Sequence, residues 1–597
     1  MPITQINTMK KTQIFRTCIA IYLCLISTSC INTGKPITHD NIFSWDNASL
    51  YFVYIDRFYN GNHHNDINYG RKIDYGNPTK NIATFHGGDI VGLTQKLNEG
   101  YFDKLGVDVL WITGIYEQIH GWVGGGSTND FPHYAYHGYY PMDFTQMDKN
   151  FGTIEEFRTF VDAAHARNIR IVMDAGINHP GYQTLLDAVQ YNFGGVDMTE
   201  AQATKHTEGL ISNSLSGEHY NAYDYLSHFN FECDSVWENW WGNAWIRSKD
   251  EVDKDVLTES IFGLPDFRTE SNTPVDLPPL YKNKWNAEAD SNTAWINSSA
   301  VKYRTNLNIP PAEYIIKWLA AWVEEFGIDG FRCDVLDNVD TYRWKELNTA
   351  CNQALDTWRQ NNKIKPCAKW TSDFWMTGDI WDAGIEYYPN YASSGFASVV
   401  NFTFPKNGNL DSIGITWQQY ANELNQRNNW STVSFLNNTY KRDTQSQNMI
   451  NCGTCLLLAP GAIQIFYGDE VGRQSVKNNA SDPTHGYRGD YIWEQETKTL
   501  DHWQKLGSFR KKHISVGAGR QITIDKNTFA RIYESDNIKD RVILKTSAQK
   551  KDFVNVGDIF KDGVELRNAY TNETSIVKDS KVEFNVLNNI ILVEIAQ

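Results

Sequence analysis

The sequence has no low-complexity tract and no short-period repeat, which excludes fibrous, solenoid and compositionally disordered architectures. It has no paired CxxC motif and no histidine cluster of the kind that holds zinc. Positive charge is in deficit: the formal net charge is −16, which argues against a nucleic-acid partner and suits a neutral or cation-bearing ligand. No segment beyond the N-terminus is apolar enough to span a bilayer. Cysteine is scarce, with 9 in 597 residues, so the chain is no disulfide scaffold. Past residue 30 only Cys233, Cys333, Cys351, Cys367, Cys452 and Cys455 remain. Cys452-Gly453-Thr454-Cys455 has redox spacing without a thioredoxin-like setting, leaving a structural disulfide or free thiols open.

What is present fits a large globular protein with room for two or three domains. Aromatics are abundant, with 20 Trp, 31 Tyr and 29 Phe; some could stack on sugars, although cores consume most such residues. The first 30 residues read as an export signal: Lys10, Lys11 and Arg16 precede the apolar run 18–26, and Ser27-Thr28-Ser29 leads to Cys30. Cys30 after small residues is similar to a bacterial lipoprotein cleavage site, with Ser27 where Leu is usual. The expected location is exported, periplasmic or secreted. Any membrane contact would run through a lipid on Cys30 at the outer membrane.

Short strand-like runs recur at 50–55, 107–113, 169–174, 328–334, 374–380, 398–404, 432–436 and 463–467, each followed by a helical stretch. Helical periodicity is clearest over 153–167 and 312–326. Eight such units in order predict an α/β fold, a TIM (β/α)8 barrel. The connection after the third strand, about 178–307, is too long for a loop and predicts an inserted subdomain. From 519 to 597 the pattern is alternating and β-rich, predicting an antiparallel C-terminal domain. The barrel is then split into 45–177 and 308–518.

The chemistry is concentrated in Gly330-Phe331-Arg332-Cys333-Asp334. Arg332 and Asp334 are two residues apart on a strand, so they face the same side, and the guanidinium favours the charged carboxylate. An oriented carboxylate at the C-terminal end of a barrel strand is a candidate nucleophile for glycosidic bonds. Taken alone, such a pair is more often a structural ion pair.

Further segments decide between these readings. They are Asp174-Ala175-Gly176-Ile177-Asn178-His179, Leu264-Pro265-Asp266, Phe374-Trp375-Met376-Thr377-Gly378-Asp379 and Ile465-Phe466-Tyr467-Gly468-Asp469-Glu470. With the Arg332 segment they resemble, in matching order, the α-amylase family of glycoside hydrolases. The stretches 117–126 and 131–140 are similar to the periplasmic α-amylases of enteric bacteria. The resemblance spans about 50–520. It implies a retaining hydrolase of α-1,4-glucans with Asp334 as nucleophile and Asp379 at the acid/base position. It also implies that His137, Tyr139, His179 and Arg332 hold the sugar. The expected partner is an α-glucan or maltooligosaccharide.

The implied cofactor is Ca²⁺. Asn60, Asn62, Asn65 and Asp66 crowd oxygen ligands onto one turn, as calcium requires, although a self-capping Asn-rich turn has the same composition. In the family the site is completed by positions matching the Gly87 carbonyl and Asp89. Asn178 and Asp266 match a second family site that pins the insertion to the barrel.

Three barrel ends depart from the family pattern. The acid is Glu in the family and Asp379 here, one methylene shorter. After the seventh strand, a His-Asp pair that stabilises the transition state is replaced by Thr439-Tyr440. Tyr440 therefore stands at a sugar-contacting position as a neutral phenol, with Asp443 the nearest downstream carboxylate. A Lys-His pair after the fourth strand becomes Asp337-Asn338. The sequence thus predicts a glucan site with weak or lost hydrolysis. A non-catalytic glucan-binding pseudoenzyme and a protein-interaction scaffold are the alternatives.

Overall fold

Eight short segments of β-branched and aromatic residues form parallel strands that close on themselves. They are β1 (Ser49–Val53), β2 (Val109–Ile112), β3 (Arg170–Ala175), β4 (Gly330–Cys333), β5 (Trp375–Gly378), β6 (Ser398–Asn401), β7 (Ser431–Phe435) and β8 (Ala462–Phe466). β1 pairs with both β2 and β8, and every other strand pairs with its neighbours in sequence, so no edge is left open. All eight strands fall within or beside the predicted runs. Strands buried on both faces need apolar residues at consecutive positions, which is why alternation was not their signature.

This computed structural model describes residues 43–597 except 72, 74–82, 126–130, 194–198, 204–239, 249, 289–292, 428–429, 440–447, 477–483, 495–496, 536 and 597. The export signal with Lys10, Lys11, Arg16 and Cys30 lies outside the described residues, as do Cys233, Tyr440 and Asp443. No described helix is long and apolar enough to cross a membrane.

The two helices predicted from periodicity are present with their terminal signals. Helix Ile154–Ala166 starts at Thr153, whose hydroxyl accepts from the Glu156 N–H while the Glu156 carboxylate accepts from the Thr153 N–H. Helix Pro311–Phe326 begins with proline and ends at Gly327, which has φ +73°. A Cβ there would sit 2.5 Å from the Trp358 ring, so both backbone and packing demand glycine. This helix turns the chain into β4 and so fixes where Asp334 emerges.

Between β3 and β4 the described chain holds the short helices Leu185–Gln190 and Pro279–Ala287 and much irregular backbone. It packs through aromatics: Trp241 meets Phe267 edge-on at 4.8 Å, and Trp245 stacks on Trp318 of the barrel helix at 6.0 Å. Backbone bonds from Met147 to Trp295 (2.7 Å) and Asn297 to Thr145 (3.0 Å) sew it to the barrel. Residues 520–595 form a six-stranded antiparallel sheet and a two-stranded partner, closed around a separate core that includes Val554, Leu566, Phe584 and Val593. Cys333, Cys351, Cys367, Cys452 and Cys455 are buried free thiols, so of the two states left open for Cys452 and Cys455 the free one is found.

Candidate active site

β4 and β5 run in register with Cys333 opposite Gly378, so Asp334 and Asp379 emerge side by side, one residue beyond the paired ends. The Asp379 N–H donates to the Cys333 carbonyl at 3.1 Å, extending the ladder. Immediately after Asp334 the chain turns through Val335 at φ +46°, a left-handed conformation that costs a β-branched residue strain. The turn ends the strand abruptly and leaves the Asp334 carboxylate facing the cleft.

Arg332 organises this end of the barrel. Its Nη2 lies 3.0 Å from Asp334 Oδ1 and also pairs with Asp379 Oδ2, and its Nη1 lies 3.8 Å from Asp174 Oδ1. The Arg332 side chain is 3% exposed, whereas Asp334 and Asp379 are 17% and 15% exposed, so the cation is sealed and the carboxylates are reachable. Asp379 is turned inward onto Arg332, and its Oδ2 accepts from Arg332 Nη2. Asp174, near the end of β3, completes this group of carboxylates around Arg332. It receives 2.7 Å from Trp111 Nε1, and burial pushes its carboxyl up to about 6 against the pull of Arg332.

A cavity above these groups is lined by Tyr116, Tyr139, Asp174, His179, Arg332 and Asp334. Tyr139 offers a half-buried ring and also hydrogen-bonds Asp174. His179 Nδ1 donates to the Pro180 carbonyl at 3.2 Å, which leaves Nε2 as an acceptor. Burial, opposed by Asp334, lowers the imidazole below its ordinary value. His137 is placed differently from its neighbours. The Tyr139 N–H donates to its Nδ1 at 3.0 Å and its Nε2 lies 3.1 Å from His133 Nε2, so both ring nitrogens are engaged within the protein. Its ring stacks on Tyr139 at 5.2 Å, supporting the ring that lines the cavity rather than offering a free N–H.

Behind His137 stands a cluster that the sequence did not announce. His133 and His485 rings meet edge-on at 4.4 Å, and the Tyr136 hydroxyl lies 2.8 Å from His485 Nδ1. Burial first, then Arg488 and Arg57, push His133 down to about 3; the same influences, with His133 added, lower His137 and His485 well below the usual imidazole range. The only sequence signal was the four-residue spacing of His133 and His137. Near the seventh strand, Thr439 Oγ1 contacts the Tyr54 hydroxyl and Arg488 Nε donates to the Thr439 carbonyl at 3.3 Å. Tyr440 follows outside the described residues. Asp337 accepts from the Tyr391 hydroxyl, and the Asn338 side chain bonds the Val256 carbonyl at 2.7 Å.

The Asn-rich turn after β1 brings the first set of proposed metal positions together. Asp89 accepts from the N–H groups of Gly61 (3.2 Å), Asn62 (2.8 Å) and Gly92 (2.6 Å), yet burial still pushes it up to about 6. Asn60 Oδ1 and Asn65 Oδ1 are buried without a hydrogen-bond partner, and Asn60 Nδ2 donates 2.8 Å to Asp66 Oδ1. Gly87 has φ +89°, and a Cβ there would lie 2.7 Å from Asp66 Oδ1. Orphaned oxygens beside two carboxylates are the donor set of a hard cation. Among the described residues no group of three His, Cys, Asp or Glu gathers around a common point, because most donors here are amides and carbonyls.

The second set is already partly neutralised. Asn178 Nδ2 donates to Asp266 Oδ1 (3.1 Å) and to the Asn338 carbonyl (3.3 Å), and Asn178 Oδ1 is buried without a partner. Asp266 also pairs with Arg247, which in turn pairs with Glu270 at 2.5 Å. Burial outweighs Arg247 and leaves Asp266 up to about 8.

Residues 52–202 match the family model described as the catalytic domain of alpha amylase. The chain is 39% identical over 515 residues to the periplasmic alpha-amylase of Escherichia coli K12, covering 84% of this chain and 71% of that protein. It is 38% identical over 222 residues to the cyclomaltodextrin glucanotransferase of Bacillus licheniformis, covering 35% of this chain and 30% of that enzyme. In structure it is similar to the alpha-amylases of Anoxybacillus and of Geobacillus thermoleovorans, the latter complexed with acarbose. The TM-scores are 0.58 and 0.59 at 19% and 18% identity, over 93% of this chain and 100% of each of theirs.

Proposed function

The chain belongs to the alpha-amylase family of glycoside hydrolases, and from that premise we propose that it recognises α-1,4-linked glucans in the cleft above Arg332 while hydrolysing them slowly or not at all. The observation that carries this reading is the pairing of Asp334 and Asp379 with one guanidinium. The nucleophile's carboxylate remains exposed to the cleft and oriented. The other carboxyl, already short by a methylene relative to Glu, is drawn toward Arg332 and away from the position of a glycosidic oxygen. An ångström of misplacement can cost about 10²-fold in rate. Loss of the family's stabilising carboxylate at Tyr440 removes a second contribution of similar or larger size.

In the residual reaction Asp334 attacks the anomeric carbon, Arg332 keeps it anionic, and Tyr139 stacks on the ring. His179 accepts a hydroxyl hydrogen at Nε2. Asp379 stands at the family's proton-donor position, and its engagement with Arg332 opposes the donation that step requires. The same geometry favours, as a second reading, a protein that only binds glucan.

The first-loop residues fit calcium: Asn60, Asn62, Asn65, Asp66 and Asp89, with the Gly87 carbonyl, would hold it. Bound calcium would neutralise the buried carboxylates and pin the β1 loop. At Asn178 and Asp266 the ion would compete with Arg247 for one carboxylate, so this site is expected to be the weaker. Export to the periplasm or beyond is supported by the charged and apolar pattern of residues 10–30 and by the periplasmic relative. Titrating maltoheptaose into the protein while following reducing-sugar release tests the proposal. Heat of binding with slow release supports it, and absence of binding to any α-glucan refutes it.

A further inference from the structure

Away from the cleft, a cavity of about 370 Å³ opens between the last barrel helix, Lys498–Lys512, and the C-terminal sheet. It lies at the end of the barrel where the strands begin. Lys511, beside Lys512, donates from Nζ to the Val107 carbonyl at 2.7 Å, two residues before β2. The active-site carboxylates emerge at the opposite end. Asp501, Lys505, Phe509 and Lys512 recur along the helix at helical spacing, so one of its faces forms a wall of the cavity.

The chain as a whole is acidic, with 71 Asp and Glu against 55 Lys and Arg, and this cavity reverses the balance. Lys104, Lys505, Lys512 and Arg567 line it against two carboxylates, Asp501 and Glu594. Asp501 answers Lys505 at 2.9 Å. Glu594, whose side chain is 2% exposed, is shared more widely. Its Oε1 accepts from Arg567 Nε at 2.7 Å, while its Oε2 accepts from Lys512 Nζ at 2.8 Å and lies 2.6 Å from His513 Nε2. One buried carboxylate thus holds three basic side chains in place without matching their charge. Lys104 is exposed and has no ion-pair partner among the described residues, and the Nη1 hydrogens of Arg567 are unused.

We infer that this cavity binds a phosphomonoester, a phosphate dianion carried on a body about the size of a pentose. Four cations against two carboxylates leave the positive excess that a dianion matches. A tetrahedral phosphate accepts hydrogen bonds from several directions, and guanidinium and ammonium groups are its usual partners. Arg567 is already fixed by Glu594, so it loses little freedom when an anion arrives. The volume stands at the lower end of the roughly 300–1,000 Å³ of small-molecule sites, more than phosphate alone needs. Phe509 and Ala569 give the rest of the ligand an apolar wall, and Gln504 offers an amide to its hydroxyls. The phosphate can belong to a soluble molecule or to a lipid head group.

Isothermal titration of ribose 5-phosphate into the full chain, at about 0.15 M salt, tests the inference. The expected Kd is about 1 mM or below, with weaker binding of inorganic phosphate and none of ribose. Saturating maltoheptaose should leave the affinity unchanged, because the cleft is at the other end of the barrel. Lys104→Gln should weaken binding about three- to tenfold, and Lys104→Arg should restore it. Arg567→Gln should weaken it further, but that change also strips a partner from buried Glu594, so exposed Lys104 carries the test. Lys302→Gln, elsewhere on the surface, should have no effect. Sedimentation with phosphatidic acid vesicles, against phosphatidylcholine vesicles, identifies the source. Binding to the first alone, lost in Lys104→Gln, assigns a lipid head group; heat with ribose 5-phosphate and no such sedimentation assigns a soluble ligand. Neither heat nor sedimentation overturns the inference. So do equal heats with ribose and its phosphate, displacement by maltoheptaose, or Lys104→Gln and Arg567→Gln proteins that bind as the wild type does.

Discussion

Arg332 and Asp379 form an ion pair across the ends of β4 and β5, on the same Nη2 that holds Asp334 at 3.0 Å. The acid position and the nucleophile position therefore share one cation. Lengthening the side chain should change this relation. Asp379→Glu can reach past Arg332 toward a glycosidic oxygen, but Tyr440 still stands where the family has an anion. Tyr440→Asp with Thr439→His restores that anion while the acid stays short. Groups acting as one unit are non-additive, so each repair alone should raise maltoheptaose hydrolysis by less than about tenfold. The combined variant should exceed the product of the separate gains, as read by reducing-sugar assay.

Calcium should bind the native chain and raise its stability. Thorough chelation is expected to lower the melting temperature by several degrees, about 2–4 °C for each kcal/mol lost, with calcium restoring it and zinc failing to. Because Arg247 already pairs with Asp266, Asp66→Asn should abolish most of the calcium response and Asp266→Asn only part of it. Differential scanning calorimetry with and without chelator checks this.

Tyr139 presents its ring to the cleft with His137 stacked behind it at 5.2 Å. Tyr139→Ala should weaken maltooligosaccharide binding about tenfold, the equivalent of ~1.4 kcal/mol from a lost aromatic face. Tyr533→Ala, on the C-terminal sheet, should leave affinity unchanged. Isothermal titration provides the readout.

The buried histidines make stability depend on acid. His133, lowered to about 3, and His137 and His485, lowered well below the usual imidazole range by burial and the same neighbours, stay neutral in the fold among Arg57, Arg488, Tyr136 and Tyr140. The unfolded chain protonates them near 6.5. Between about pH 6.5 and 3 the unfolded state thus binds more protons, and stability falls as pH falls, each such group adding a slope of about 1.4 kcal/mol per pH unit. His485→Gln should flatten the decline by up to one such slope, measured as unfolding free energy from pH 4 to 7. On the alkaline side His165, raised to about 9 by Asp329 despite its burial, contributes stability that is complete below 6.5 and lost as pH rises through 9.

Much of the scaffold was legible because local rules and tertiary demands agree along it. The Thr153–Glu156 capping box, the proline at 311 and the glycine at 327 each mark a helix end that periodicity also located. The Arg332–Asp334 spacing alone placed both side chains on one face. The rest of the site depends on contacts between distant segments. That Asp379 turns toward Arg332, that Arg247 reaches Asp266, and that His485 joins His133 all follow from packing across 19 to 352 residues of chain. Val335 in a left-handed turn is contrary to its own propensity, and only the surrounding structure imposes it.

The rate of reducing-sugar release from maltoheptaose by the wild-type protein, saturated with calcium, tests the account most directly. The account predicts a rate at least about 10²-fold below that of the Escherichia coli periplasmic alpha-amylase assayed alongside, with maltoheptaose nonetheless bound. Brisk turnover that disappears in Asp334→Asn would contradict it, and would require a carboxylate such as Asp443 to stand in for the stabiliser replaced by Tyr440.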